Sequence, residues 1–467
     1  MTTRRVLLGV GSNVGDRLHY LRQAVRALGT AGSRTLELRA ISPIYESDAL
    51  LPDGASTEWN LPYLNLAVLA ETELEPLDLL PWIKATEVGL GRRPAARWSP
   101  REIDIDLLAI DGLTVNSPTL TLPHRDLLER PFVLLPVADL VPDWPLSEPS
   151  GGPARRAGAW AERWRADSVG VPFRTRRIPA SLTELVGIVN LTADSFSDGG
   201  RWLDPARAID QAVALAEAGA TVIDLGAEST RPGAVSVDPA VEWSRVAPVL
   251  AALRERWPRG RGPRLSVDTR HPATAGRAID AGADWINDVT GFDDPAMIDA
   301  VSTASVDLVV MHHLGVPPQA GRVLDRSGDP VPALLAWGAD RLERLHRAGI
   351  GASRLIFDPG IGFGKTGEQT AMILARIGEF RALGVRLLVG HSRKSFLKTW
   401  FAPDGAGPCA AVADREIETL ALTQHLAAWA VDYVRVHDVE ANARLLRAGA
   451  MVGLGTRHSA LGARLGL

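Results

Sequence analysis

Residues 187–200 read GIVNLTADSFSDGG: an apolar run, Gly187 to Val189, stopped by Asn190 and followed by a polar loop that closes on two glycines. A short apolar run bounded in this way reads as a buried strand leading into a loop. The same unit recurs down the chain. Strand-like runs end near Val189, Leu225, Val267, Ile286, Val310, Phe357, Val389 and Val436, and amphipathic helical patterns such as Pro205–Ala218, Pro239–Arg256 and Val331–Ala348 separate most of them. Eight βα repeats in about 285 residues predict a closed parallel barrel rather than an open sheet.

Each run is followed by polar groups: Asn190, Glu228 with Arg231, Asp268, Asn287 with Asp288, His312, Asp358, Ser392 to Lys394, and His437. A barrel gathers the C-terminal ends of its strands on one face, so these groups are expected to line one site. Polar residues also mark where strands simply stop. That reading accounts for one or two cases, not for the whole series.

Upstream of the repeats the pattern differs. Val6–Val10, Leu36–Ile41, Leu64–Ala70 and Ile103–Ile110 read as strands and Asp16–Leu28 and Pro76–Gly89 as helices, a mixed α/β arrangement with two crossovers. A Pro/Gly cluster (EPSGGP) near Glu148, an Arg/Ala/Trp stretch and a basic connector, Arg174 to Pro179, follow. These place a domain at 1–166, a linker at 167–182 and a second domain at 183–467.

Composition narrows the class. A 467-residue chain exceeds one ordinary core, and a net charge of -4 gives no bias toward nucleic acid or membrane surfaces. No stretch approaches the roughly 20 apolar residues that span a bilayer, and the run Val6–Val10 is too short for a signal-peptide core. The single cysteine, Cys409, lies in a Gly/Pro-rich stretch without ligand-spaced neighbours and reads as a bystander thiol. A cytoplasmic protein is the expectation.

The stretch RWSPREIDID, Arg97 to Asp106, ends in two carboxylates one residue apart. On a strand Asp104 and Asp106 project from the same face, and paired carboxylates suit Mg2+ with phosphates and waters. Arg92, Arg93, Arg97 and Arg101 precede them, and His124, Arg125 and Arg130 follow, cations able to grip phosphate by forked hydrogen bonds. Alone, a D-x-D is equally a solvated strand face. With LPHRDLLERPF (Leu122 to Phe132), YLNLAV (Tyr63 to Val68) and GSN (Gly11 to Asn13), however, residues 4–150 resemble the 6-hydroxymethyl-7,8-dihydropterin pyrophosphokinases.

That resemblance implies a ferredoxin-like α+β domain that transfers pyrophosphate from ATP to the pterin hydroxymethyl group. It makes Asp104 and Asp106 the ligands of two Mg2+ ions, and Arg92, Arg101, His124 and Arg130 the phosphate contacts. Tyr63 and Phe132 would sandwich the pterin and Asn65 would meet its edge. The arginine-rich loop around Arg92 is a residue shorter than the family pattern, which leaves Arg92 and Arg93 interchangeable in the assignment. The glycines Gly9 and Gly11 do not begin a dinucleotide fingerprint, because Val14 stands where the third glycine belongs.

In the repeats, LGAESTRPGA (Leu225 to Ala234), LSVDTRHP (Leu265 to Pro272), INDVTG (Ile286 to Gly291), LIFDPGIGFGKT (Leu355 to Thr366), VGHSRKSF (Val389 to Phe396) and VRVHDV (Val434 to Val439) occur in order at strand ends. With the opening segment they resemble dihydropteroate synthase over residues 184–455. The resemblance implies a (β/α)8 TIM barrel, commonly a homodimer, that joins the pterin pyrophosphate to p-aminobenzoate and releases pyrophosphate. Asp268, Asn287, Asp358 and Lys394 would recognise the pterin, and Asn190 would bind one Mg2+. Thr230, Arg231, Arg435 and His437 would hold pyrophosphate. Phe363, Ser395, Pro232 and Phe196, with Asp194, would form the p-aminobenzoate site, and the helix starting near Lys394 would face the aminobenzoate carboxylate. GFGKT is no phosphate loop, since its first required glycine falls on Pro359.

Two departures stand out: Leu314 in MHHLGVPPQ (Met311 to Gln319), where a polar or basic residue is usual, and Ala193 in place of proline. The expectation is therefore a bifunctional folate-biosynthesis enzyme. The alternatives are an active kinase fused to a catalytically silent pterin-binding or scaffolding barrel, and a pterin-dependent methyl-transfer barrel, against which SRKS (Ser392 to Ser395) and the long 194–200 loop speak.

Overall fold

Strand β1 (Arg4–Ser12) begins a unit that continues through α1 (Arg17–Gly29), β2 (Glu37–Ile41), β3 (Tyr45–Ser47), β4 (Tyr63–Thr72), α2 (Pro76–Gly89) and β5 (Asp104–Ile110). Two short ribbons, β6 (Val115–Asn116) with β7 (Thr121–Leu122) and β8 (Pro145–Leu146) with β9 (Arg155–Arg156), flank α3 (Pro131–Leu140); α4 (Ala157–Ala166) and β10 (Thr175–Arg177) follow. This computed structural model describes residues 3–29, 35–94, 96, 98–147, 153–166, 174–192, 204–231, 233–319, 321–401 and 415–452.

The sheet runs β10-β3-β4-β1-β5, with β2 also on β4, and its pairs are antiparallel. Both faces are covered. Val6, Leu8 and Val10 meet Leu21, Val25 and Leu28 of α1 and Leu79 and Ile83 of α2, whereas Leu7 and Leu108 meet Leu134 and Val137 of α3 and Trp160 of α4. A strand buried on both sides needs no polar alternation, which is why Val6–Val10 of β1 is a continuous apolar run. The basic stretch at 174–179, expected as connector, contributes β10 to the sheet edge opposite Tyr45–Ser47; residues 167–173 lie outside the described residues.

The second unit is a closed barrel of parallel strands β11 (Glu184–Asn190), β12 (Val222–Gly226), β13 (Arg264–Asp268), β14 (Trp285–Asp288), β15 (Asp307–Met311), β16 (Leu355–Asp358), β17 (Arg386–Val389) and β18 (Tyr433–Val436). Helices α5 (Pro205–Ala218), α6 (Pro239–Arg256), α7 (Pro272–Asp280), α8 (Pro295–Ser302), α9 (Pro330–Arg347), α10 (Gly367–Ala375), α11 (Phe396–Phe401), α12 (Glu416–Ala428) and α13 (Val439–Val452) alternate with them. Contacts divide the chain into Met1–Leu182 with Ala427–Ala430 and Leu446–Leu467, and Thr183–Leu426 with Val431–Leu445.

Four barrel helices start with the same device. Asp204, Asp238, Asp294 and Asp329 each precede a proline at the first helical position and accept the backbone N–H two residues on, at 2.8–2.9 Å. Inside the barrel, Val186, Val222, Trp285, Val309, Ile356, Leu388 and Tyr433 form an apolar layer. Side chains two residues further along a strand face the same way. The next layer up therefore sets Asp224 above Val222, Asn287 above Trp285, Asp358 above Ile356 and Arg435 above Tyr433, beside the apolar Ile188 and Met311. Its members come from the same strands that supply the apolar plug.

Candidate active sites

In the first unit, antiparallel pairing of β1 with β5 sets Gly11 opposite Asp104 and Gly9 opposite Asp106. Both carboxylates open into a cavity of about 350 Å³ whose walls include Tyr63, Asn65, Arg92, Arg101, His124, Arg130 and Phe132. Every residue predicted for this site is thus brought to one place. Arg92 Nη1 donates to Asp104 Oδ1 at 2.7 Å and Arg101 Nη1 to Asp104 Oδ2 at 3.0 Å. Asn65 Nδ2 donates to Ser47 Oγ at 3.1 Å, which fixes its amide. Arg93 is not among the cavity-lining residues, Arg92 is; Arg97 lies outside the described residues.

Burial, and next the charge of Asp104, push Asp106 up to about 6. A buried carboxylate held beside a second one forms a set that a divalent cation fits, since its charge relieves the repulsion between them. Burial, then Arg130, lower the pKa of His124. It is a neutral ring in the neutral pH range.

Sequence reading missed Glu87 and Lys84. Glu87, 1% exposed, accepts from Lys84 Nζ at 2.8 Å and from the Ile105 backbone N–H at 2.6 Å, and its Oε1 lies 2.5 Å from Arg92 Nη1. It braces the end of α2, the Arg92 loop and β5. A Lys–Glu pair three apart on a helix ordinarily reads as a solvated face, so only the packing reveals it. Trp98, held at φ 74°, also lines the cavity and was not predicted.

In the barrel, Arg435 is the hub. Its Nε donates to Asp224 Oδ2 at 2.6 Å and its Nη2 to Asp268 Oδ2 at 2.9 Å, and Asn287 Nδ2 donates to Asp224 Oδ2 at 3.2 Å. Asp358 Oδ1 accepts the Gly360 N–H at 2.7 Å. Lys394 Nζ donates to Ile361 O and lies 5.0 Å from the Phe363 ring centroid. Asp268, Asn287, Asp358, Lys394, Phe363 and Arg435 therefore belong to one connected neighbourhood. Asp224, not predicted, is its most buried acid, because it sits two residues before the strand end inside the apolar run VIDLG.

His437 Nδ1 pairs with Ser392 Oγ at 3.0 Å, and the same oxygen accepts the His437 backbone N–H at 3.3 Å. Burial, then the charge of Arg435, bring His437 down to about 3. The ring is neutral, with Nδ1 held against Ser392 and Nε2 left on its other edge. Burial raises Asp268 to about 8 against the pull of Arg435, and burial lowers Lys394 to about 8 against the pull of Asp358.

Asn190 ends β11; Thr230 and Arg231 follow β12, with Arg231 exposed. Ser395 is exposed before α11, whose six residues begin at Phe396. Asp194, Phe196, Pro232, Ala193 and Cys409 lie outside the described residues. The segment with Leu314 is tied down. Buried Lys365 Nζ donates to His312 O at 3.1 Å, Gly360 O at 2.9 Å and Phe363 O at 3.1 Å, and lies 2.7 Å from His312 Nδ1. Gly360, at φ 67°, has no room for a Cβ, which would fall 1.8 Å from His312 O. Lys365 of GFGKT thus ties the loop after β16 to His312 at the end of β15.

Glu228, Glu242 and His271 bring one ligand-type atom each within 4.8 Å of one another. Arg270, however, takes both Glu228 oxygens at 2.8 Å, and Thr269 donates to Glu242 at 2.7 Å. We read this group as the brace between the loops after β12 and β13. Among the described residues no helix is long and apolar enough to cross a membrane.

An α/β unit with a paired-carboxylate cavity and a barrel with an acid-lined strand-end site give the chain two separate candidate active sites of an α/β enzyme. Residues 7–142 match the 7,8-dihydro-6-hydroxymethylpterin-pyrophosphokinase family and residues 186–437 the pterin binding enzymes. The folate synthesis bifunctional protein of Chlamydia trachomatis is 37% identical over 96% of this chain and 98% of its own, and the mitochondrial one of Pisum sativum is 33% identical over 94% and 87%. Among solved structures, dihydropteroate synthase of Xanthomonas albilineans with 4-aminobenzoic acid is 35% identical, with a TM-score of 0.52 over 58% of this chain and 93% of that one. That of Anaplasma phagocytophilum with bound 6-hydroxymethylpterin-monophosphate is 34% identical, with a TM-score of 0.51 over 58% and 99%.

The chain belongs to the bifunctional folate-synthesis family, with hydroxymethyldihydropterin pyrophosphokinase and dihydropteroate synthase activities on one polypeptide. The alternative of a catalytically silent barrel finds no support.

Proposed function

We propose that the two sites catalyse consecutive steps, with the residues assigned from the sequence as the working groups. At the first, the hydroxymethyl oxygen of the dihydropterin attacks the β-phosphorus of ATP, AMP leaves, and the hydroxyl proton is lost. The observation that carries this reading is the single cavity that unites Asp104 and Asp106 with Arg92, Arg101, His124 and Arg130 and with the ring-binding trio Tyr63, Asn65 and Phe132. Asp104 and Asp106 would hold two Mg2+ ions, whose charge neutralises the phosphates of ATP. The arginines orient the phosphate chain, and the two aromatic rings clamp the flat heterocycle.

At the second site, the amine of p-aminobenzoate attacks the pterin methylene carbon, the C–O bond breaks, pyrophosphate leaves with the electron pair, and the amine sheds a proton. Asp268, Asn287, Asp358 and Lys394 would bind the pterin. Arg435, His437, Thr230 and Arg231 would stabilise the leaving pyrophosphate, with one Mg2+ at Asn190. Phe363, Ser395, Pro232 and Phe196 would receive p-aminobenzoate. The domain limits 1–166 and 183–467, a cytoplasmic location and a homodimer through the barrel complete the reading.

Selective inactivation tests it. Asp104→Asn is expected to abolish pterin pyrophosphate formation and spare condensation of supplied pterin pyrophosphate with p-aminobenzoate. Asp268→Asn is expected to do the reverse. Loss of both activities in either variant would contradict the assignment.

A further inference from the structure

We propose that Asp224 is a positioning residue of the synthase site, holding the Arg435 guanidinium and fixing the Asn287 amide from beneath the pterin pocket. The inference rests on the assignment of Arg435 and Asn287 to that site and adds a residue to it.

Three observations carry it. Asp224 lies on β12, with its side chain 1% exposed, yet its Oδ2 meets Arg435 on β18 at 2.6 Å and Asn287 on β14 at 3.2 Å. Neither strand is a neighbour of β12 in the barrel. The carboxylate therefore reaches across the interior and ties together groups that the sheet itself does not.

Arg435 uses separate nitrogens for Asp224 and Asp268. Two carboxylates on two donors fix both the position and the plane of a guanidinium. When Asp268 turns to a ligand N–H, the Asp224 bond still holds Arg435 in place. Asn287 is oriented by the same atom. A carboxylate only accepts, so the amide nitrogen must face Asp224, and the Asn287 carbonyl is directed away as an acceptor for a ring N–H.

A structural role alone does not require an acid here. The layer directly below is filled by apolar side chains such as Val222, Trp285 and Tyr433. A buried ion pair is often no more stabilising than well-packed hydrophobic residues, whereas the loss of one partner is costly. An acid at this level constrains its partners more than it stabilises the barrel.

The test uses the full chain, with pterin pyrophosphate and p-aminobenzoate varied separately, and Asp224→Asn as the main variant. The amide keeps the shape but removes the charge and competes for the orientation of Asn287. Expected is a fall of about 30-fold or more in kcat/KM for pterin pyrophosphate, with KM for p-aminobenzoate within about twofold. Combination with Arg435→Lys should cost clearly less than the product of the two single losses, because the two variants share the Asp224–Arg435 contact while the hold on Asn287 is lost only with Asp224. Asp224→Glu, which restores the charge, should recover part of the loss, and it also serves if Asp224→Asn does not fold. Unchanged kcat/KM in a folded Asp224 variant, or full additivity with Arg435→Lys, would overturn the inference. Arg435→Ala is run alongside. If it alone abolishes turnover, the Asp224 role fails and the site reading stands; if it too leaves turnover intact, both fail.

Discussion

Lys394 stands over the face of Phe363, its Nζ 5.0 Å from the ring centroid. With Lys394 proposed for the pterin and Phe363 for p-aminobenzoate, the two proposed subsites would share a wall here, and the ring and cation that meet there orient each other. A cation over a partly desolvated aromatic face contributes about 0.5–2 kcal/mol.

Phe363→Leu keeps the apolar volume and removes the π face. KM for p-aminobenzoate should rise about 3- to 30-fold with the pyrophosphokinase rate unchanged. Steady-state kinetics of both activities on one preparation checks this, and an unaltered KM would count against the shared wall.

Lys394 is expected to give the synthase an alkaline limit. Burial lowers its pKa from 10.5 to about 8, so the ammonium is lost from the folded protein as the pH rises through about 8. Pterin binding by the barrel should weaken above that pH, and Lys394→Arg, whose guanidinium does not deprotonate, should move the limit upward. The stability sign is the opposite of a paired lysine's. Between about 8 and 10.5 the unfolded chain holds a proton that the folded one does not, so this group's contribution to stability becomes more favourable with pH. Titration of pterin affinity from pH 6 to 10 reads the effect.

Glu87 is the brace of the kinase site, and Glu87→Ala leaves Lys84, Arg92 and the Ile105 N–H without their common acceptor. Loss of one partner in such a buried network costs about 3–5 kcal/mol. The pyrophosphokinase activity should collapse while the synthase activity remains. Equal loss of both would show general unfolding instead.

Asp238→Ala removes a helix cap remote from the chemistry. It should cost about 1 kcal/mol, a fall of about 2–4 °C in the melting point of the barrel, with kcat unchanged for both reactions. Calorimetry and kinetics together check it.

What the sequence disclosed follows the physics of each element. Barrel strands were legible because each is a short apolar run ending in a polar group. Their site residues were legible for the same reason, standing at the ends. Asp224 was not, because an acid inside VIDLG shows its partners only when β12, β14 and β18 close around one axis. Helix α3 was hidden by Pro131 and Pro136; the first sits at the helix start, and the second is accommodated within it. Strand β10 was hidden by its basic composition, since TRR has no apolar face of its own and pairs only along the edge beside β3. The MHHLGVPPQ departure from the family pattern is absorbed by packing, with Leu314 lying against Gly364 and Lys365 binding His312.

The most direct measurement supplies the purified full chain with 6-hydroxymethyl-7,8-dihydropterin, ATP, Mg2+ and p-aminobenzoate and follows the products. Formation of 7,8-dihydropteroate together with AMP and pyrophosphate is expected. Accumulation of the pterin pyrophosphate with no dihydropteroate would contradict the central claim that both sites are catalytic.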